Sequence, residues 1–145
     1  MITFQFTVWP DQGDASGFDM GDMVVTGEFG RVDSAGHVPD QGMMIYVTVV
    51  ELLDGLRDFL RGNARVLSFY GTDTSFNLVV RRNKNGLSIA GDNGIVARTT
   101  TPELVTALLQ AAEDLGGGLP LEDTVRSDWE GALARFRPLA QDGEG

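Results

Sequence analysis

The clearest alternation of apolar and polar residues lies at the start of the chain. Ile2, Phe4, Phe6 and Val8 fall on one side of an extended segment, and Thr3, Gln5 and Thr7 on the other. That period of two belongs to an antiparallel strand with one buried face. Pro10 ends it, and PDQGDASG is a loop by its turn residues. Residues 22–32, DMVVTGEFGRV, predict a second strand in which Gly27 and Gly30 mark a bulge or bend. The loop DSAGHVPDQG then leads to an apolar stretch at 43–62, MMIYVTVVELLDGLRDFLRG.

Inside that stretch the period changes. Ile45, Tyr46 and Val47 favour a strand, while Thr48 precedes Glu51 at capping-box spacing, so a helix is expected from Val49. At about 100° per residue, Val49, Leu52, Leu53, Leu56 and Leu60 gather on one stripe with Phe59 at its edge. Glu51, Asp54 and Asp58 collect on the opposite side, and Gly62 can end the helix with Arg57 and Arg61 in its last turns.

The remaining pattern predicts a meander and two helices. Strands are expected at 65–70, 76–82, 87–90 and 95–99, joined by the GTDT turn, an Asn85-Gly86 type I′ turn and the turn Gly91-Asp92-Asn93-Gly94. Thr101 reads as an N-cap with Pro102 at the first helical position, and Leu104, Leu108, Ala111, Ala112 and Leu115 form the buried stripe. Gly116, Gly117 and Gly118 stop this helix. Ser127 and Glu130 give a second capping-box pattern for a short helix carrying Trp129, Leu133 and Phe136, closed by Pro138. The expected architecture is α+β. An antiparallel sheet of six or seven strands is covered on one face by the two longer amphipathic helices, with a short C-terminal helix beside them. Residues 1–138 form one domain, and residues 139–145 a disordered tail.

Composition narrows the function classes. A chain of 145 residues can bury about 68 to 70% of its extended surface, enough for one core. It has no Cys, which removes thiol catalysis, disulfides and Cys-based zinc sites. No apolar run approaches the roughly 18 residues of a membrane span, and MITFQFTVWPDQ lacks the features of a secretory signal, so a cytoplasmic protein with no membrane role is expected. The net charge of −10 argues against binding a phosphate backbone, hence no nucleic-acid partner. Charge is also unevenly spread: residues 1–60 carry net −8, residues 61–100 net +4 and residues 101–145 net −6. Internal pairing across the folded surface is the simplest account of a basic middle between acidic flanks.

Candidate chemistry is sparse. His37 is the only histidine and sits in a Gly- and Pro-flanked loop, where a solvated residue is expected over a catalytic base. Asp11, Asp14, Asp19 and Asp22, interleaved with glycines, offer oxygen ligands, but their spacing does not match a calcium loop. The glycine triplet at 116–118 follows a helix instead of opening one, the wrong end for an anion. Arg81, Arg82 and Lys84, near Phe69, Tyr70 and Phe76, superficially suggest an RNA-reading sheet, yet strand alternation points 69 and 70 to opposite faces. No catalytic residue, cofactor or metal is expected. An enzyme is thus disfavoured, and partner contact is assigned to Glu51, Asp54 and Asp58 on the helix and to Asp11, Asp14, Asp19 and Asp22 in the loop.

The order of elements also carries a resemblance. An N-terminal strand, a Gly/Asp-rich stretch leading to DMVVTGEF, a strand running into VTVVELLDGLRDFL, a meander ending at VARTT, and PELVTALLQAAEDL together cover most of the chain. In this order the chain resembles the small acidic bacterial immunity proteins of polymorphic toxin systems, of the WapI-like type. The resemblance implies a non-enzymatic protein that binds and blocks one cognate toxin. A strongly negative surface would suit a basic toxin by steering its approach. The other expectation is a structural or adaptor domain that self-associates through a meander edge or binds an unknown protein, with its oligomeric state open.

Overall fold

The computed structural model describes residues 2–37, 40–72 and 74–142. Residues 38, 39 and 73, which belong to the expected loop and the GTDT turn, and residues 143–145 of the expected tail lie outside the described residues. The fold is α+β, built from two four-stranded antiparallel sheets and a helical layer.

In the first sheet, β1 (Thr3–Val8) pairs with β2 (Met20–Gly27), placing Phe4 opposite Val25 and Phe6 opposite Met23. Phe4, Met23 and Val25 are buried while Thr3 and Thr26 on the other face are exposed, as the alternation requires. The segment expected as one bent strand is a tight hairpin. Gly27 pairs with Gly30, and β3 (Gly30–Asp33) returns along β2. A two-residue strand, β4 (Met43–Met44), pairs with the opposite half of β2. The glycine at 27 answers to a contact distant in sequence: a Cβ there would overlap the Cβ of Ala97.

The second sheet is a plain meander of β5 (Val66–Tyr70), β6 (Asn77–Asn83), β7 (Gly86–Gly91) and β8 (Gly94–Thr99). Its first tight turn centres on Lys84-Asn85, because Asn83 pairs with Gly86; the expected turn was one residue later. Gly86 follows it at φ +141, a conformation that side chains rarely adopt. Leu67, Phe69, Leu78, Val80, Leu87, Ile89 and Ala97 make the inner face by register. The single sheet expected from the pattern is therefore divided, and the two parts meet at the β2–β3 turn. Phe29 N–H donates to the Val96 carbonyl at 3.0 Å, and Glu28 Oε1 accepts the Arg98 N–H at 2.8 Å. This turn covers the outer edge of β8, which would otherwise invite another chain.

Helix α1 (Ile45–Arg61) starts four residues before the expected Val49, so Ile45, Tyr46 and Val47 are helical. Tertiary bonds override the local strand preference: Ile45 N–H donates to the Asp19 carbonyl at 3.2 Å, and the extended Met44 serves as N-cap. Thr48 is buried within the helix, where its Oγ1 accepts the Thr72 N–H at 3.0 Å. At the other end Gly62 is extended at φ −100, and Arg82 caps the helix from β6, donating to the Phe59 carbonyl at 2.7 Å with its guanidinium over the Phe59 ring. The predicted stripe is buried: Val49, Leu52, Leu53, Leu56 and Phe59 face the core and Leu60 packs at its margin.

Helix α2 (Thr101–Gly116) packs on β1 and is capped by Thr100, one residue before the expected cap; its side chain accepts the Glu103 N–H. Helix α3 (Thr124–Phe136) packs on α1 and begins three residues before Ser127, because Asp123 accepts the Val125 N–H at 2.9 Å. Beyond it a short helix, α4 (Pro138–Asp142), inserts Leu139 into the core, so ordered structure runs past the expected boundary at 138.

Two substitutions test this packing. Leu53→Ala, at a fully buried position, should lower the unfolding free energy by about 2–5 kcal/mol in chemical denaturation, whereas Leu121→Ala on the surface should cost under about 0.5 kcal/mol. Gly27→Ala should destabilise by about 1–3 kcal/mol, because the hairpin must back away from β8.

Candidate functional site

The seven acidic residues singled out by sequence divide into two groups according to what their carboxylates touch. On α1, Glu51 and Asp58 project into solvent, and Asp58 lies 3.4 Å from its neighbour Arg57. Asp54, between them, is half-buried and held by Arg135 of α3, whose Nε and Nη2 donate to it at 3.1 to 3.2 Å. A forked pair of this kind orients both side chains and ties the two helices together.

In the N-terminal loop Asp11 and Asp14 are exposed, and Asp11 stands at φ +61. Asp19 is buried, its Oδ2 accepting the Ser16 N–H at 3.1 Å. Asp22 accepts the indole N–H of Trp9 at 2.6 Å through Oδ2 and the Ser34 hydroxyl at 2.7 Å through Oδ1. Both carboxylates therefore hold the loop from inside, which removes Asp19 and Asp22 from the set of free contacts. Asp54 is likewise committed. Among the described residues no group of three or more His, Cys, Asp or Glu is placed to hold a metal ion.

The other candidates are also separated by the fold. His37 is exposed, with Nε2 at 2.7 Å from the Asp33 carbonyl oxygen. Phe69 and Phe76 are buried, Arg82 is turned under the sheet, and only Arg81, Lys84 and a 60% exposed Tyr70 remain outside. The three aromatic residues of the suggested RNA-reading surface do not share a face, since Phe69 and Phe76 are buried and Tyr70 is exposed.

Among the described residues the basic meander and the acidic flanks stay apart instead of pairing with each other. Among the described residues the ion pairs are Arg57–Asp58, Arg126–Glu130, Arg135–Asp54 and Arg137–Glu113, all among helical-layer residues. None joins a base of the meander to an acidic flank. The helical layer shows exposed Glu51, Asp58, Glu103, Asp114, Glu122 and Asp128 to solvent, and the outer side of the second sheet shows Arg81 and Arg98 beside Val66, Tyr70 and Ile95. Phe29, 57% exposed, lies over Arg98 at 5.6 Å.

Sequence reasoning missed two features. One is the free edge of β1, beside which lies an apolar groove formed with α2. The other is the cluster that joins the N-terminal loop to α1 and α3. Asp123 accepts the Gly17 N–H at 2.9 Å, and Tyr46 packs edge-on against Trp129 at 5.6 Å. Burial raises the Tyr46 phenol above its ordinary value, with the negative charges of Asp19 and Asp123 adding to it. The only sequence signal was Tyr46 itself, a polar tip inside the apolar run.

The alkaline consequence follows from the direction of that shift. The folded state holds the phenolic proton more tightly than the unfolded chain, so stability is intact below the ordinary value near 10 and falls as pH rises toward the folded value. Tyr46→Phe should remove this part of the decline in the pH dependence of the denaturation midpoint, and an identical decline in both proteins would contradict the assignment. No protein-family model, curated protein or solved structure matches this chain.

Proposed function

We propose that the chain is a non-enzymatic, cytoplasmic protein-binding domain, immunity-like in action, which binds a basic toxin through its acidic helical face and neutralises it. The observation that carries this reading is the charge segregation: Glu51 and Asp58 are exposed on α1, where Asp58 has only its neighbour Arg57 beside it, and among the described residues no ion pair joins a base of the meander to the acidic flanks. Such a surface attracts a basic protein and raises its encounter rate. The buried acids support the same reading from the other side. Asp19, Asp22 and Asp123 accept hydrogen bonds that hold loops and a helix start, a structural use of carboxylates.

A second reading, a structural or adaptor domain acting through self-association, is favoured by one observation. β5 is an edge strand of the meander, and it carries Val66 and Tyr70 exposed on its outer face. Sedimentation across a wide concentration range separates the two: the adaptor reading expects a concentration-dependent dimer, the immunity reading a monomer.

The principal test is capture of the partner from the native host, followed by charge reversal. Glu51→Lys with Asp58→Lys should slow association with a captured basic protein by about tenfold or more and weaken the effect of added salt. Asp54 is left intact because Arg135 depends on it. Unchanged association would exclude this face.

A further inference from the structure

The free edge of β1 combines unpaired main-chain groups with a recess for side chains. Trp9 N–H donates to the Met20 carbonyl at 2.9 Å, and β1 runs against β2 with Val8 opposite Gly21. By the alternation of an antiparallel ladder, Thr3, Gln5 and Thr7 exchange bonds with β2, while the N–H and C=O groups of Phe4, Phe6 and Val8 point the other way. Among the described residues no strand pairs with β1 on that side. Beside this edge lies a groove of about 440 Å³, walled by Ile2 and Phe4 from the strand and by Pro102, Thr106 and Ala107 from α2, with Glu103 on its rim.

We propose that this edge is completed by an extended segment of the protein partner, added antiparallel to β1 as a further strand, with its inward side chains seated in the groove against α2. The inference rests on the protein-binding reading and supplies the chemistry of the partner. Residues of the added strand opposite Phe4 and Phe6 share the inner face with them, and apolar, β-branched side chains suit the walls formed by Ile2, Pro102 and Ala107. Alternate residues lie beside Thr3, Gln5 and Thr7 on the exposed face and are polar.

Charge selects the flanks of that segment. A neighbouring recess on α2 shares Thr106 and Gln110 with the groove and is lined by Glu113 and Asp114, so each of the two adjoining recesses carries carboxylates. Arg137 lies 3.9 Å from Glu113, which leaves Glu103 and Asp114 as the open pair among the described residues. Lys or Arg on either side of the apolar positions complements this rim. A second copy of the chain offers a similar alternation but carries net −10, which sets like charges against each other and disfavours it as the occupant.

The probe is a phage-displayed library of random peptides panned on the folded protein. Selected sequences should share alternating apolar, β-branched positions flanked by Lys or Arg. A synthetic peptide of that pattern should slow hydrogen exchange at the Phe4, Phe6 and Val8 amides, and its affinity should fall at least tenfold with Thr106→Trp. Thr106 is exposed, so the indole fills the groove without entering the core; Glu103→Lys with Asp114→Lys provides a second, independent loss of affinity. Enrichment of nothing, of peptides that bind Thr106→Trp equally well, or of peptides that leave those amides unprotected overturns the proposal. A captured toxin that binds the Thr106→Trp protein undiminished would overturn the groove and leave the protein-binding reading standing. Loss of toxin binding only on reversal of Glu51 and Asp58 would do the same.

Discussion

Every layer of this protein depends on burying one face of α1. The helix carries Val49, Leu52, Leu53, Leu56 and Phe59 on a single stripe, and that stripe touches both sheets and both long helices. Each four-stranded sheet has an apolar inner face that must be covered, and α1 packs against both, on β1, β2 and β4 of the first and on β5 of the second. The β2–β3 turn then fastens the sheets directly, by the bonds of Phe29 to Val96 and of Glu28 to Arg98. Gly27 permits that approach because any side chain there would meet Ala97.

The acidic residues serve two unlike purposes. Asp19, Asp22 and Asp123 are spent on main-chain and side-chain donors, which fold the N-terminal loop onto the start of α3 and around Tyr46. These bonds satisfy groups that would otherwise be costly to bury. Glu51, Asp58 and the acids of α2 and α3 remain in water, where pairing with a single base contributes little. Their collective field across one side of the molecule is what can act at a distance, and it is opposed by a basic, partly apolar sheet on the other.

The proposed interaction sites follow from this division. An acidic helical surface gives reach and orientation, while the β1 edge beside α2 offers fixed hydrogen-bonding geometry and an apolar recess. Steering and seating are different tasks, and the fold places them on neighbouring elements, because α2 contributes Glu103 to the rim and Ala107 to the wall.

What could be read from the chain alone were the features whose causes are local. The alternation of Ile2, Phe4 and Phe6 determined a half-buried strand, and the spacing of Leu52, Leu53 and Leu56 determined a buried helix face. The meander turns were visible to within a residue, since only a few residue types fit tight turns. Long-range partners decided the rest. Tyr46 and Val47 favour strands intrinsically, but the bond from Ile45 to Asp19 starts the helix before them. A strand reads the same in sequence whether it lies at an edge or in the middle, so the open side of β1 and the division into two sheets emerged only from pairing. The free or committed state of each acid was equally hidden, because Asp54 and Asp58 share a helix face and only Arg135, 81 residues away, distinguishes them.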